Sequence, residues 1–213
     1  MNEQAGLRAR KKERTRQAIS EAAISLFLEV GYDQVSVADV AAAAEVSKPT
    51  LFRYFPSKED LVLHRIADHQ GEWARVVRER ASGESPLDAL HRHFLAGLHG
   101  RDPVTGLNDH PAVLAFLGLV YSTAALRARL VRFSAQDQEA LAEALGEAVA
   151  TQSPDLAPRL AAGQLVAVHQ VLAHENWRKI AAGRTADEVL GEAVGDADRA
   201  FHLLGAGLGG QYG

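Results

Sequence analysis

Residues 36 to 56 read "SVADVAAAAEVSKPTLFRYFP", and they leave a folding chain few options. Ser36 with Asp39 is the Ser-x-x-Asp form of a capping box, which starts a helix with Val37, Val40, Ala41 and Ala44 on its inward face. Only Glu45 and Val46 separate that helix from a second N-cap, Ser47. Val46 and Leu51 then occupy the two positions of a hydrophobic staple, and Pro49 lies in the first turn, where its missing N–H costs nothing. Leu51 and Phe55, four apart, face inward, and Pro56 stops the helix. Two short helices joined this tightly must cross steeply, the geometry of a helix-turn-helix.

With Leu51 and Phe55 turned inward, the other face of the second helix offers Lys48, Pro49, Thr50, Phe52, Arg53 and Tyr54. A solvated helix face rarely displays a phenylalanine beside a tyrosine, whereas a helix that enters a major groove uses such groups. Thr50, Lys48 and Arg53 suit base edges, and Phe52 suits a thymine methyl. Tyr54 and Lys58, nearer the helix end, suit phosphate, and Ser36 at a helix N-terminus offers a second phosphate clamp. Charge agrees. The whole chain is at −4, yet residues 7 to 20 hold Arg8, Arg10, Lys11, Lys12, Arg14 and Arg16 against Glu13 alone. A basic arm beside an acidic body points to a polyanion at one end only.

The rest of the pattern is helical. Ile19, Ala22, Ala23, Leu26, Phe27 and Val30 form one stripe on a long first helix that Gly31 ends. Ser57 caps a fourth helix expected to run to Ala81, and Ser85 with Pro86 opens another that Gly100 ends. Further helices are expected at 110–121, 123–150, 156–182 and 186–204, the last capped by Thr185 with Glu188. The expected organisation is all-α: residues 1–56 as basic arm and helix-turn-helix, residues 57–213 as a helical ligand-binding and dimerisation domain with a flexible tail at 205–213. Leu190, Val194, Ala197 and Phe201 on the last helix, with Leu172 on the one before, are the expected dimer interface.

From "ERTRQAISEAAISLFLEVGYDQVSVADVAAAAEVSKPTLFRYFPSKEDLV" the chain closely resembles the TetR family of bacterial transcriptional regulators. The likeness rests on Phe27 with Gly31-Tyr32, on "VADVAAAAEVS" and on "LFRYFPSKEDL". The resemblance implies an all-helical homodimer with a ligand pocket in the C-terminal domain and an interface from the last two long helices. It also implies DNA contacts at Ser36, Lys48, Pro49, Thr50, Arg53, Tyr54 and Lys58. The chain departs from the family pattern at Phe52, often tyrosine, and at Pro49, often glycine. "STAALRARLVRFSAQDQEALAEALGEA" and the helix of Trp177 resemble the subgroup of mycofactocin-type, acyl-CoA-responsive regulators.

Other chemistries find little support. Cysteine is absent, and His91/His93 and His169/His174 have spacings that put each pair on different helix faces, so neither a metal nor any other cofactor is expected. "GAGLGG" at 205–210 follows a helix rather than a strand, which rules out a dinucleotide fingerprint, and no nucleophile elbow is present. The chain is read as a cytoplasmic protein without a membrane span and not as an enzyme. Its expected partners are double-stranded operator DNA, a second copy of itself and a hydrophobic or aromatic effector lined by Phe94, Phe116, Tyr121, His174, Asn176 and Trp177. The alternative is a helical carrier or scaffold whose basic arm does not bind operator DNA; such a protein has no need of a capped helix-turn-helix.

Overall fold

The computed structural model describes the backbone of residues 2–67, 69–149 and 156–212, and its regular elements are all helices. They group into two compact units, Met1–Asp68 with Ala115–Leu130, and His69–Leu114 with Val131–Gly213.

In the first unit α1 (Asn2–Val30) lays Ile19, Ala23 and Phe27 into the core, and the Gly31 N–H closes it on the Phe27 carbonyl at 3.1 Å. The Ser36 capping box forms as its residues require and starts α2 (Val37–Ala43), while Ser47 caps α3 (Lys48–Tyr54) through the Thr50 N–H. Glu45 makes the turn between them at φ 52, a conformation that costs a side chain about 1 kcal/mol, and the Val46 N–H closes the turn on the Ala41 carbonyl at 2.9 Å. Phe55 ends α3 in extended backbone, as a residue before proline must.

The fourth helix does not run to Ala81. It divides into α4 (Asp60–Ala67) and α5 (Glu72–Arg78), with Gly71 between them at φ 72 and its N–H donating to Asp137 Oδ1 at 2.9 Å. The apolar periodicity is genuine, but its halves serve different cores: Leu61, Val62 and Leu63 are buried in the first unit, Ala74 and Val77 in the second. The expected boundary at 56/57 moves for the same reason. Ser20 Oγ on α1 donates to the Leu61 carbonyl at 2.7 Å and lies 3.0 Å from His64 Nδ1, so α4 belongs with α1. Asp60 at the start of α4 accepts from Ser57 Oγ at 2.8 Å and pairs with Arg129 at 2.9 Å.

The second unit holds α5, α6 (Pro86–His99), a 3-10 turn (Pro103–Thr105), α9 (Leu156–Ala181) and α10 (Ala186–Tyr212) around a core that includes Leu90, Phe94, Leu98, Leu107, Leu165, Ile180 and Val189. α7 (Pro111–Ser122) and α8 (Ala124–Ala148) contribute residues to both units. Thr185 and Glu188 cap α10 reciprocally, and Asp109 Oδ2 accepts the Ala186 N–H at 2.8 Å. The residues expected as a flexible tail continue α10 through Tyr212. Each glycine there costs a helix about 1 kcal/mol, but Tyr212 is buried.

The expected dimer stripe also needs correction. Ala197 and Phe201 are 0% and 4% exposed in the single chain, and Leu172 is buried with them, so these residues fill the protomer's own core. Leu190 and Val194 pack partly against the same cluster. Among the described residues, the large apolar side chains that α9 and α10 leave outside are Leu156, Leu160, Val171 (62% exposed) and Leu203 (72%). A depression of about 220 Å³ lies in the same unit, lined by Ala167, Val168, Val171, Leu172 and Ala200.

Candidate nucleic-acid interface

The face of α3 forms by subtraction. Leu51 and Phe55 are buried, which leaves Lys48, Pro49 and Arg53 exposed, Thr50 and Tyr54 half-buried, and Phe52 46% exposed. Seven residues of helix span about 10 Å and fit a major groove about 12 Å wide. Arg53 keeps its guanidinium 5.5 Å from the Tyr54 ring centroid, which pre-orients both side chains. Thr50 Oγ1 lies 2.8 Å from Ser47 Oγ, so its hydroxyl is shared with the cap.

Two expected phosphate ligands are engaged within the protein. Ser36 Oγ donates to Asp39 Oδ2 at 2.7 Å and its N–H to the same oxygen at 2.8 Å. Those bonds, the hydroxyl's first, hold the Asp39 carboxyl below its usual range. The entry to α2 therefore carries a fixed anion beside the Ser36 hydroxyl. Lys58 turns toward α1: its ammonium donates to the Tyr32 carbonyl and sits 4.2 Å from the Tyr32 ring and 5.3 Å from the Phe27 ring. Burial, then the hydrogen bond to Glu59 Oε1 at 3.0 Å, raise the Tyr32 hydroxyl above its ordinary range, so it stays neutral. An ammonium has three N–H groups, and Lys58 commits one of them here. Arg16, on α1, places its guanidinium 5.8 Å from the Phe55 ring at the end of α3, a contact that spacing alone does not reveal.

The six residues expected to line an effector pocket are not brought into one unit. Phe116 and Tyr121 belong to the first, Phe94, His174, Asn176 and Trp177 to the second. Asn176 is buried and donates through Nδ2 to the Thr105 carbonyl at 3.0 Å, which ties α9 to the 3-10 turn. Gly106 seats that turn at φ 71, so close that an added Cβ would fall 1.9 Å from the Ala173 carbonyl oxygen. His174 lies 5.4 Å from Trp177, and Phe94 instead meets His169 edge-on at 5.4 Å. Trp73 meets the same imidazole at 4.7 Å. This Trp73–His169–Phe94 cluster was missed as a group, because its members come from three helices.

Among the described residues no group of three or more His, Asp or Glu is arranged to hold a metal, and no single helix is long and apolar enough to cross a membrane.

Residues 19–64 match the family model described as bacterial regulatory proteins, tetR family, and residues 84–208 match the MftR C-terminal domain. The chain is 33% identical over 172 residues to the HTH-type transcriptional regulator TcmR of Streptomyces glaucescens, covering 80% of this chain and 76% of that one. It is 28% identical over 199 residues to MftR of Mycobacterium tuberculosis, covering 93% of each. Its fold is similar to that of NalD, the secondary repressor of the MexAB-OprM multidrug efflux pump in Pseudomonas aeruginosa, with a TM-score of 0.59 and 23% identity. That match covers 88% of this chain and 97% of NalD.

Proposed function

Because the chain belongs to the TetR family of DNA-binding transcription regulators, we propose that it is a one-component repressor that binds operator DNA as a homodimer and leaves it when a hydrophobic small molecule binds. The observation that carries the reading is the exposed face of α3, where Lys48, Pro49, Thr50, Phe52 and Arg53 are held outward by a helix capped at Ser47 and anchored by Leu51. Lys48 and Arg53 supply donors for guanine, Phe52 an apolar contact for a thymine methyl, and Tyr54 with the free N–H groups of Lys58 a contact to phosphate.

Dimerisation is assigned to the face of α9 and α10 that bears Leu156, Leu160, Val171 and Leu203, because these are large apolar groups left in water by the single chain. Two heads about one helical turn of DNA apart, roughly 34–36 Å, then read an inverted repeat. An effector bound in the second unit releases the operator only if it binds more tightly to a dimer whose heads are wrongly spaced.

The test is selection of random duplexes by the full-length protein. Inverted repeats are expected, and no enrichment, or enrichment without two-fold symmetry, refutes the reading. Val171→Glu with Leu203→Glu should give monomers by sedimentation that bind the selected site poorly. Both tryptophans, Trp73 and Trp177, lie in the second unit, so their fluorescence can follow titration with a long-chain acyl-CoA. Weaker acyl-CoA binding in the presence of operator is the signature of coupling; equal binding removes acyl-CoA as effector.

A further inference from the structure

α1 begins at Asn2, well before Ile19, its first buried residue among those whose burial is described. Between Arg10 and Ala18 every side chain is exposed or half-exposed, and the cations Arg10, Lys11, Lys12, Arg14 and Arg16 accompany the single acid Glu13. At 100° per residue those cations are distributed around the helix rather than along one stripe. The ion pair that α1 makes among the described residues lies farther along, between Glu21 and Arg65 at 3.8 Å. The described part of the arm is thus a rod of positive charge, about 12 Å from residue 10 to residue 18, and Arg16 at its base rests on Phe55 at the end of α3.

A flexible basic arm of similar charge would enter a minor groove, which is about 6 Å wide. A helix with its side chains is about 10–12 Å across and does not fit there. We infer that this helical arm is a second DNA contact of the head: it lies against the phosphates flanking the bases that α3 reads and stays out of the minor groove. Duplex phosphate is the occupant because charge complements charge, the rod is joined to the reading head without a break, and its cations, spread around the helix, present no single face to a groove. The arm therefore adds affinity and salt dependence, and sequence preference stays with α3. This rests on the DNA-binding reading above and deepens it.

The experiment uses the full chain with Arg10→Gln, Lys11→Gln, Lys12→Gln and Arg14→Gln combined, since glutamine keeps helix propensity while removing charge. Circular dichroism and a melting curve establish that the variant folds. Binding to the selected operator and to a scrambled duplex is then measured from about 50 to 200 mM salt, the range over which phosphate contacts weaken most visibly. The expected result is a salt slope smaller by about 2 to 4 units per bound protomer, with the operator-to-scrambled ratio unchanged. An unchanged slope in a folded variant overturns the arm contact and leaves the head reading standing. Loss of the ratio overturns the division of labour between arm and α3. Netropsin, which fills A·T minor grooves, should leave wild-type affinity unchanged when it saturates the flanks; a loss of affinity would mean that the arm unwinds into the minor groove. Wild-type protein that binds no duplex, or prefers anionic vesicles or RNA, overturns both readings together.

Discussion

Lowering the pH should destabilise the second unit through one side chain, His169. Trp73 and Phe94 pack on its ring edge-on at 4.7 and 5.4 Å. Burial among them, with a smaller contribution from His93 and opposition from Glu72, lowers its pKa from 6.5 to about 4. In the unfolded chain the ring titrates near 6.5. Between those values the unfolded chain takes up a proton that the folded chain refuses, so stability falls as pH drops from about 6.5 to about 4 and levels off below. A shift of that size corresponds to about 3 kcal/mol at most. The residue as a whole is not fully buried, so about 2 kcal/mol is the expectation. The assay is urea unfolding of wild type and His169→Phe at intervals from about pH 7.5 to 4, which brackets both pKa values. The apolar ring should abolish most of the fall over that window. The carboxylates of Glu188, Glu192 and Asp196 are held below their ordinary range by hydrogen bonds to Thr185, Arg184 and Lys179, and they are common to both proteins. Parallel curves for the two proteins across the window would refute the reasoning.

Three other outcomes are expected. Lys58→Ala should cost the first unit about 2 kcal/mol, because it removes a charge-assisted hydrogen bond to the Tyr32 carbonyl and two ring contacts; unchanged urea unfolding would mean that this ammonium does not hold the head together. Gly106→Ala should cost more than about 3 kcal/mol, since its Cβ meets backbone and the turn must lift away from Asn176. Gly83→Ala, at φ 83 with open space around it, is the control, and equal melting points for the two variants would count against a seated turn. Replacing operator thymines by deoxyuridine should weaken wild-type binding about fourfold at the base that Phe52 touches, the worth of one buried methyl. Phe52→Ala should lose that sensitivity, and a variant that keeps it would assign the contact to Pro49.

The head was legible because its signals are local. Ser36 with Asp39, Ser47, and Leu51 with Phe55 each set backbone and burial within four residues, and the caps form as those residues require. What depended on distant partners was not. The apolar periodicity that passes through Val62 and Val77 reads as one helix until the two residues are seen in separate cores. An apolar stripe such as Leu190, Ala197 and Phe201 looks the same whether it faces its own fold or a second copy; here the neighbouring rings decide, with Phe94 6.4 Å from Phe201 and His91 stacked on it at 4.7 Å. Lys58 was legible as a cation near the end of α3, but its direction was set by Tyr32, 26 residues away in sequence. Aromatic residues announce burial without saying which unit buries them, which is how Phe116 and Phe94 were grouped together.

The first unit is not a continuous stretch of chain, and this matters to anyone who would exchange reading heads between regulators. Cutting after Asp68 leaves behind residues 115–130, and with them fully buried Leu126 and Arg129, whose guanidinium grips Asp60 at the start of α4. A chimera that carries residues 1–68 onto a foreign body inherits the recognition surface but loses part of its foundation, and Asp60 then needs a substitute cation from the recipient. A graft designed for this chain should transplant both segments, or choose a recipient that already has an arginine or lysine opposite Asp60. The sequence divides at one place and the folded protein at another, so modularity here follows the packing and not the reading order.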